Sequence, residues 1–173
     1  MIEQSCWHPV AQVSDLGAMP LAVTLLGQRL VLWRGDAGTA HAWCDRCPHR
    51  GASLSLGCVR AGPQGAQLEC AYHGWRFGIG GQVVSVPALP GFVPPATHRA
   101  TAYAVAEVYG LLWVCLRPNP DAQLDGIPAF AAELDARLRK VNCGPYLVAT
   151  SAPRIIENFL DASALRRCTR PAP

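Results

Sequence analysis

The 173-residue sequence has no long apolar run. Its longest largely apolar stretch, Ala102 to Leu116, is 15 residues and is interrupted by Glu107, short of the roughly 20 residues that a membrane-spanning helix needs. No basic segment followed by an apolar one opens the chain at Met1-Ile2-Glu3-Gln4-Ser5-Cys6, so no export signal is read there and a cytoplasmic location is expected. An excess of one charge sign is also missing. There are 15 basic and 12 acidic residues, and Arg166, Arg167 and Arg170 fall in the last eight positions, which leaves the rest balanced. No basic excess remains to suggest nucleic acid or a membrane surface as a partner. No internal repeat is found. Charged residues are scarce at 16%, while apolar ones make up 50%, a composition that can fill a core and excludes global disorder.

The 16 glycines, 15 prolines and 8 cysteines are what the chain has in quantity. Glycine and proline at this level punctuate a chain into turns and short strands. In a reducing compartment, that many cysteines point to metal binding or core packing before disulfides.

The first clear pattern is two β-rich runs, Leu21 to Leu26 and Arg29 to Arg34, joined by Gly27-Gln28, which predicts a hairpin with a type II′ turn. Ala40 to Cys44 is expected to be a third strand, and residues 45–81 are broken by Gly and Pro into short pieces. Gln82 to Val86 reads as a short strand, and 87–97, with Pro87, Pro90, Pro94 and Pro95, as an extended loop. Thr101 to Val108 and Leu111 to Leu116 predict a second hairpin about Tyr109-Gly110, with Val105 and Leu111 facing a core, and Pro118-Asn119-Pro120 closes this all-β unit. A helix is expected after Pro128, where Phe130, Leu134 and Leu138 recur at four-residue spacing. A strand at Tyr146 to Ser151 and a helix opening over Arg154 to Asp161, just after Pro153, complete the reading.

Cys47-Pro48-His49 and Cys70-Ala71-Tyr72-His73 carry the chemistry: C-x-H, then 20 residues, then C-x2-H. Two thiolates and two imidazoles from two loops can hold a [2Fe–2S] cluster, both Cys on one iron and both His on the other. Gly51 and Gly74 let backbone N–H groups approach the cluster sulfurs closely. Zinc is a competing reading, because Cys44 and Cys47 form a C-x2-C that could join Cys70 and His73 in a site of three thiolates and one imidazole. That set leaves His49 and its Arg-Gly neighbours without a role. Another reading makes all four residues ordinary core cysteines and satisfied histidines. Cys6, Cys44, Cys58, Cys115, Cys143 and Cys168 are read as small apolar residues or bystanders.

The segments Cys47-Pro48-His49-Arg50-Gly51-Ala52 and Cys70-Ala71-Tyr72-His73-Gly74-Trp75-Arg76-Phe77 resemble the Rieske domain of the Rieske non-haem iron oxygenases, and the likeness runs from about Trp7 to about Leu116. The resemblance implies an all-β fold of antiparallel sheets over 7–117, with a cluster-binding subdomain at about 44–78. It makes Cys47, His49, Cys70 and His73 the cluster ligands. One departure is the long gap between the motifs, which the Gly62-Pro63-Gln64-Gly65 turn would absorb on the surface. The extra cysteines that brace the cluster loops in respiratory Rieske proteins have no match here, which favours the oxygenase or ferredoxin branch.

In that family a catalytic domain follows, and its mononuclear Fe(II) site opens with N-x2-D-x2-H-x4-H. Asn158 and Asp161 match the opening, but Ala164 and Thr169 stand where the histidines belong. By the resemblance, Asp161 and Asn158 are remnants of the electron bridge and iron site. Residues 118–161 are then a short helical stump of a truncated α+β catalytic domain, and 162–173 an aberrant tail of the kind that a frameshift or early stop leaves. The implied function is the electron-transferring portion of an aromatic-ring-hydroxylating or O-demethylating oxygenase. It would be fed by a reductase or ferredoxin, and its intact relatives, expected to be homo-oligomers, alone carry the second iron. A free-standing Rieske-type ferredoxin is the alternative, and a zinc-binding module the third.

Overall fold

The computed structural model describes residues 2–92, 94–117, 126–141 and 146–161. The chain divides into two compact units, Met1–Ala131 and Ala132–Pro173.

The first unit is built from ten strands: β1 (His8–Gln12), β2 (Leu21–Leu25), β3 (Gln28–Arg34), β4 (Ala40–Cys44), β5 (Cys58–Gly62), β6 (Gly65–Glu69), β7 (Arg76–Phe77), β8 (Val83–Ser85), β9 (Ala102–Val108) and β10 (Leu111–Cys115). They form two sheets, a six-stranded one in the order β1-β10-β9-β4-β3-β2 and a four-stranded one in the order β5-β6-β7-β8. All strand pairs are antiparallel. The small sheet is inserted between β4 and β9. Tyr109 Oη donates to the Pro128 carbonyl at 3.2 Å and accepts from Phe130 N–H at 3.0 Å, and Ile127 is buried. These contacts tie the segment at 127–130 to the β9–β10 turn.

The uninterrupted apolar run Leu30-Val31-Leu32-Trp33 is explained by burial on both faces of β3. Successive side chains of a strand point to opposite sides. Leu30 and Leu32 enter a core with Leu16, Leu25, Ala42, Leu112 and Val114. Val31 and Trp33 enter a second core with Trp43, Leu54, Leu68 and Phe77, which also holds Cys47 and Cys70. Trp43 meets both Trp33 (4.9 Å, 74°) and Phe77 (6.5 Å, 82°) edge-on, an arrangement that aromatic quadrupoles favour. Strands β3 and β4 therefore form a wall shared by the two cores.

Several expectations need correction. The first hairpin turn is Leu26-Gly27, because Gln28 already pairs with Leu25. Both turn residues have positive φ (48° and 78°), which makes the turn type I′ and not II′. On β10, Val114 stands opposite Val105, so Leu112 and Val114 share its face and are buried, whereas Leu111 lies on the other face and is half-buried. The expected helix after Pro128 is a single 3-10 turn, Ala131–Leu134. Phe130, Leu134 and Leu138 are all exposed, Leu134 by 82%, and a helix of this length draws its stability from a buried apolar face. No strand forms over the described part of 146–151, where Leu147 and Val148 have no ladder partner and are exposed. Helix α1 (Ala152–Leu160) begins two residues before Arg154 and takes Pro153 into its first turn, where a missing N–H costs nothing. Asp161 follows its last residue as the C-cap. Pro118-Asn119-Pro120, Cys143 and the tail 162–173 lie outside the described residues. No helix among the described residues is long and apolar enough to cross a membrane.

Candidate metal centre

Two loops with the same backbone present the four motif residues. In the first, Cys47 N–H donates to the Ala52 carbonyl (2.7 Å) and Gly51 N–H to the Cys47 carbonyl (2.8 Å). In the second, Cys70 N–H donates to the Trp75 carbonyl (2.9 Å) and Gly74 N–H to the Cys70 carbonyl (3.0 Å). Each loop is thus six residues closed by the same two bonds, with a glycine at the fifth position. Gly51 and Gly74 have φ of 76° and 68°, the left-handed region that side chains disfavour. C-x-H and C-x2-H differ only in where the imidazole leaves an otherwise equal frame.

A carboxylate secures the base of each loop. Asp45, 4% exposed, accepts from Ser55 N–H (2.7 Å), Ser55 Oγ (2.8 Å) and Arg29 Nη2 (3.1 Å). It thereby ties the residues on either side of 47–52. Glu69 accepts from Arg76 Nε at 2.6 Å across the pair that flanks 70–75. Burial raises the Glu69 carboxyl, but the Arg76 hydrogen bond and charge, with Arg60 behind them, hold it below the usual carboxylate value. A Cβ on Gly74 would lie 3.1 Å from Pro87 Cγ, so the proline-rich segment starts packed against the second loop.

The sulfurs face inward and the imidazoles outward. Cys47 and Cys70 are each 2% exposed and belong to the same buried core. Burial, reinforced by Cys70 and opposed by the N–H groups of His49 and Arg50, pushes the Cys47 thiol up to about 11. A metal that takes this sulfur as thiolate must displace its proton. The His49 ring stacks on Trp75 (4.3 Å, 4°) and meets His73 at 4.8 Å and 62°. His73 is exposed and packs on Tyr72 at 3.8 Å. Burial, then the charges of His73, Arg50 and His98, hold His49 below its ordinary value.

Among the described residues, no three His, Cys, Asp or Glu side chains converge as a single-ion site. The zinc set is therefore not assembled. Cys44 stands opposite Leu30 in the ladder, and its sulfur accepts from Gln28 Nε2 at 3.3 Å. Two buried thiols and two outer imidazoles instead make a two-ended donor set, which suits a two-iron group. No disulfide joins the described cysteines. Cys6 is exposed, Cys58 half-buried beside Glu69, and Cys115 buried with its thiol on the Arg117 carbonyl. Asn158 and Asp161 sit at the end of α1 in the second unit, joined by a bond from Asp161 N–H to the Asn158 carbonyl. Ala164 and Thr169 lie outside the described residues. The motif does not single out Asp45, Arg29, Ser55 or His98.

Comparison with known proteins gives the same reading. The chain is 40% identical over 164 residues to the methylxanthine N1-demethylase NdmA of Pseudomonas putida, covering 91% of this chain and 44% of that one. It is also 40% identical over 116 residues to the oxidoreductase NdmD of the same organism, covering 66% of this chain and 19% of that one. The solved structure of NdmA from Pseudomonas putida CBB5 superposes with a TM-score of 0.81 at 38% identity, covering 91% of this chain and 48% of that one. The chain therefore spans less than half the length of the demethylase it matches. Residues 6–104 match the Rieske [2Fe–2S] domain, and the chain belongs to that family, whose cofactor is the [2Fe–2S] cluster.

Proposed function

We propose that Cys47 and Cys70 hold one iron of the cluster and His49 and His73 the other, and that the chain serves as the electron-transferring part of an oxygenase system. The observation that carries this is the pair of equal loops that turns two thiols into the core and two imidazoles toward the surface. Such a cluster, when bound, supplies one-electron chemistry. The chain's own residues set the conditions. The shared core excludes water from the sulfurs, and the backbone N–H groups of His49 and Arg50 favour the Cys47 thiolate. Trp75 fixes the plane of His49, and His73 offers the exposed edge.

Relatives named as demethylases support a hydroxylating or demethylating system as the setting, and a reductase or ferredoxin as electron donor and a cytoplasmic location belong to the same proposal. Asn158 and Asp161 are proposed as the electron-bridge motif of that family. Because Ala164 and Thr169 offer no imidazole where a facial triad takes two, we assign no second iron to this chain. It is expected to accept electrons without oxygenating a substrate. The test is anaerobic reconstitution followed by visible and EPR spectra and the iron-to-sulfide ratio, then a single turnover with O2 and a panel of aromatic methyl ethers and N-methylated purines. A two-iron spectrum with reoxidation and no product is expected. Colourless protein overturns the cluster assignment, and stoichiometric product overturns the division of labour.

A further inference from the structure

The proline-rich stretch 87–99 touches the second loop near both of its ends. Pro87 lies against Gly74, as described above, and His98 meets Trp75 with ring centroids 6.1 Å apart at 41°. Val86 and Ala100, just outside the stretch, are buried in the core that holds Cys47, Cys70 and Trp75. Two hydrogen bonds fix the far end: Arg99 Nε donates to the Gly80 carbonyl at 2.9 Å, and Ala100 N–H to the Gly81 carbonyl at 2.9 Å. Within the stretch, the N–H groups of Leu89, Phe92 and His98 each donate three residues back, to the carbonyls of Val86, Leu89 and Pro95. These are tight turns and not slack chain. His98 is half-buried, whereas Pro95, Ala96, Thr97 and Arg99 around it are exposed, and its Nδ1 lies 3.5 Å from Thr97 Oγ1. A third imidazole, which neither motif contains, thus reaches the indole on which His49 is stacked.

We propose that His98 is a positioning residue for electron transfer: packed on Trp75, it keeps the indole against His49 and water away from that side of the cluster, and so holds the reduction potential down. This rests on the cluster-binding reading, which puts His49 on iron. The separation of the His98 and Trp75 rings falls within the range at which aromatic side chains attract one another. Trp75 is 8% exposed, and loss of the His98 ring would uncover part of it. Two ferric ions, two sulfides and two thiolates sum to no net charge, and one added electron makes the centre an anion. Water stabilises that anion, so a dry surround disfavours reduction. The competing role for His98 is electrostatic, since His73, Arg50 and His98 all bear on His49 as charges. A cation beside the centre favours the added electron and raises the potential. Removing His98 therefore shifts the potential upward if the ring acts by packing and downward if it acts by charge.

The test is the reduction potential of the reconstituted chain at one fixed pH, titrated with dithionite in the presence of mediators, for the parent, His98→Ala and His98→Phe. Cluster content is read separately from the visible spectrum, and circular dichroism establishes that each variant is folded. His98→Ala should raise the reduced-to-oxidised ratio at any set potential about threefold, which is about 30 mV for a one-electron couple. His98→Phe restores a ring without its charge and should return the potential to that of the parent. The EPR lines of the reduced centre should broaden in His98→Ala, as His49 samples more orientations, and sharpen again in His98→Phe. A potential that falls in both variants overturns positioning in favour of charge. A potential unchanged in both, or a rise that His98→Phe leaves in place, overturns the packing role. Cross-peaks between His98 and Trp75 ring protons in the NMR spectrum of the cluster-free chain report the contact by itself. A chain that shows them but takes up no cluster refutes the cluster reading and the tuning with it, whereas a loaded chain that lacks them refutes the tuning alone.

Discussion

Replacing Asp45 should loosen the first loop more than replacing any exposed arginine near it. Its side chain is completely inaccessible and accepts three hydrogen bonds, two from Ser55 and one from Arg29. In Asp45→Ala, the half-buried Ser55 N–H loses its acceptor, a cost of about 1–3 kcal/mol. The Ser55 hydroxyl contributes about 1 kcal/mol more. The Arg29 pair adds little, because that side chain is 66% exposed and water takes over its bonds. The expected total is about 2–4 kcal/mol. Asp45→Asn keeps the shape and one acceptor but sets an amide N–H2 against the Arg29 guanidinium, so about 1–2 kcal/mol is expected. All five tryptophans lie at or before Trp113, so their fluorescence reports on the β unit alone. With a urea slope of about 2 kcal/mol/M, Asp45→Ala should lower the midpoint by about 1–2 M. In the loaded protein, the cluster absorption should also decay faster. A midpoint within about 0.3 M of the parent's, at equal slope, would refute the idea that this carboxylate holds the loop.

Cys47→Ser should abolish the cluster absorption of reconstituted protein, whereas Cys44→Ser, on the Gln28 side of its strand, should leave it nearly unchanged. Gly57→Ala should be strongly destabilising and should cost cluster occupancy, since its Cβ would collide with the Glu69 carbonyl next to Cys70; thermal melts and iron content measure both effects. Glu69 has a folded value held below its ordinary 4.5, so its stabilising contribution is complete above about 4.5 and is lost as pH falls through the lower folded value. Acid titrations of unfolding should show a shallower loss below that pH for Glu69→Gln than for the parent.

The parts of this fold legible in the sequence are those with a short period. The hairpins at 21–34 and 101–116, the strand Ala40–Cys44 and the six-residue cluster motifs each show their pattern within a few positions. The first turn lies one residue earlier than its sequence suggests because Leu26 adopts a positive φ that its type disfavours, and only the Gln28–Leu25 pairing reveals it. The spacing of Phe130, Leu134 and Leu138 suggests a helix, but periodicity cannot say whether a partner surface exists to bury the stripe. Asp45 is invisible as a site residue because its partners, Ser55 and Arg29, lie ten and sixteen positions away. Their meeting is a product of the β3–β4 ladder. The meeting of His98 with Trp75 is likewise a fact of tertiary placement, since no sequence pattern links the two.

The wall formed by β3 and β4 limits how small a cluster-holding fragment can be made. A peptide cut to the segment 44–86 would contain every proposed ligand and both loops, yet Leu54, Leu68 and Phe77 would lose Val31 and Trp33 as their backing. Val31 and Trp33 in turn are held in place by a strand whose other face rests on Leu112 and Val114 through Leu30 and Leu32. The two cores therefore lean on one pair of strands from opposite sides, and neither can be excised without exposing the other. Transplanting the centre into another protein accordingly means carrying the whole β unit with it.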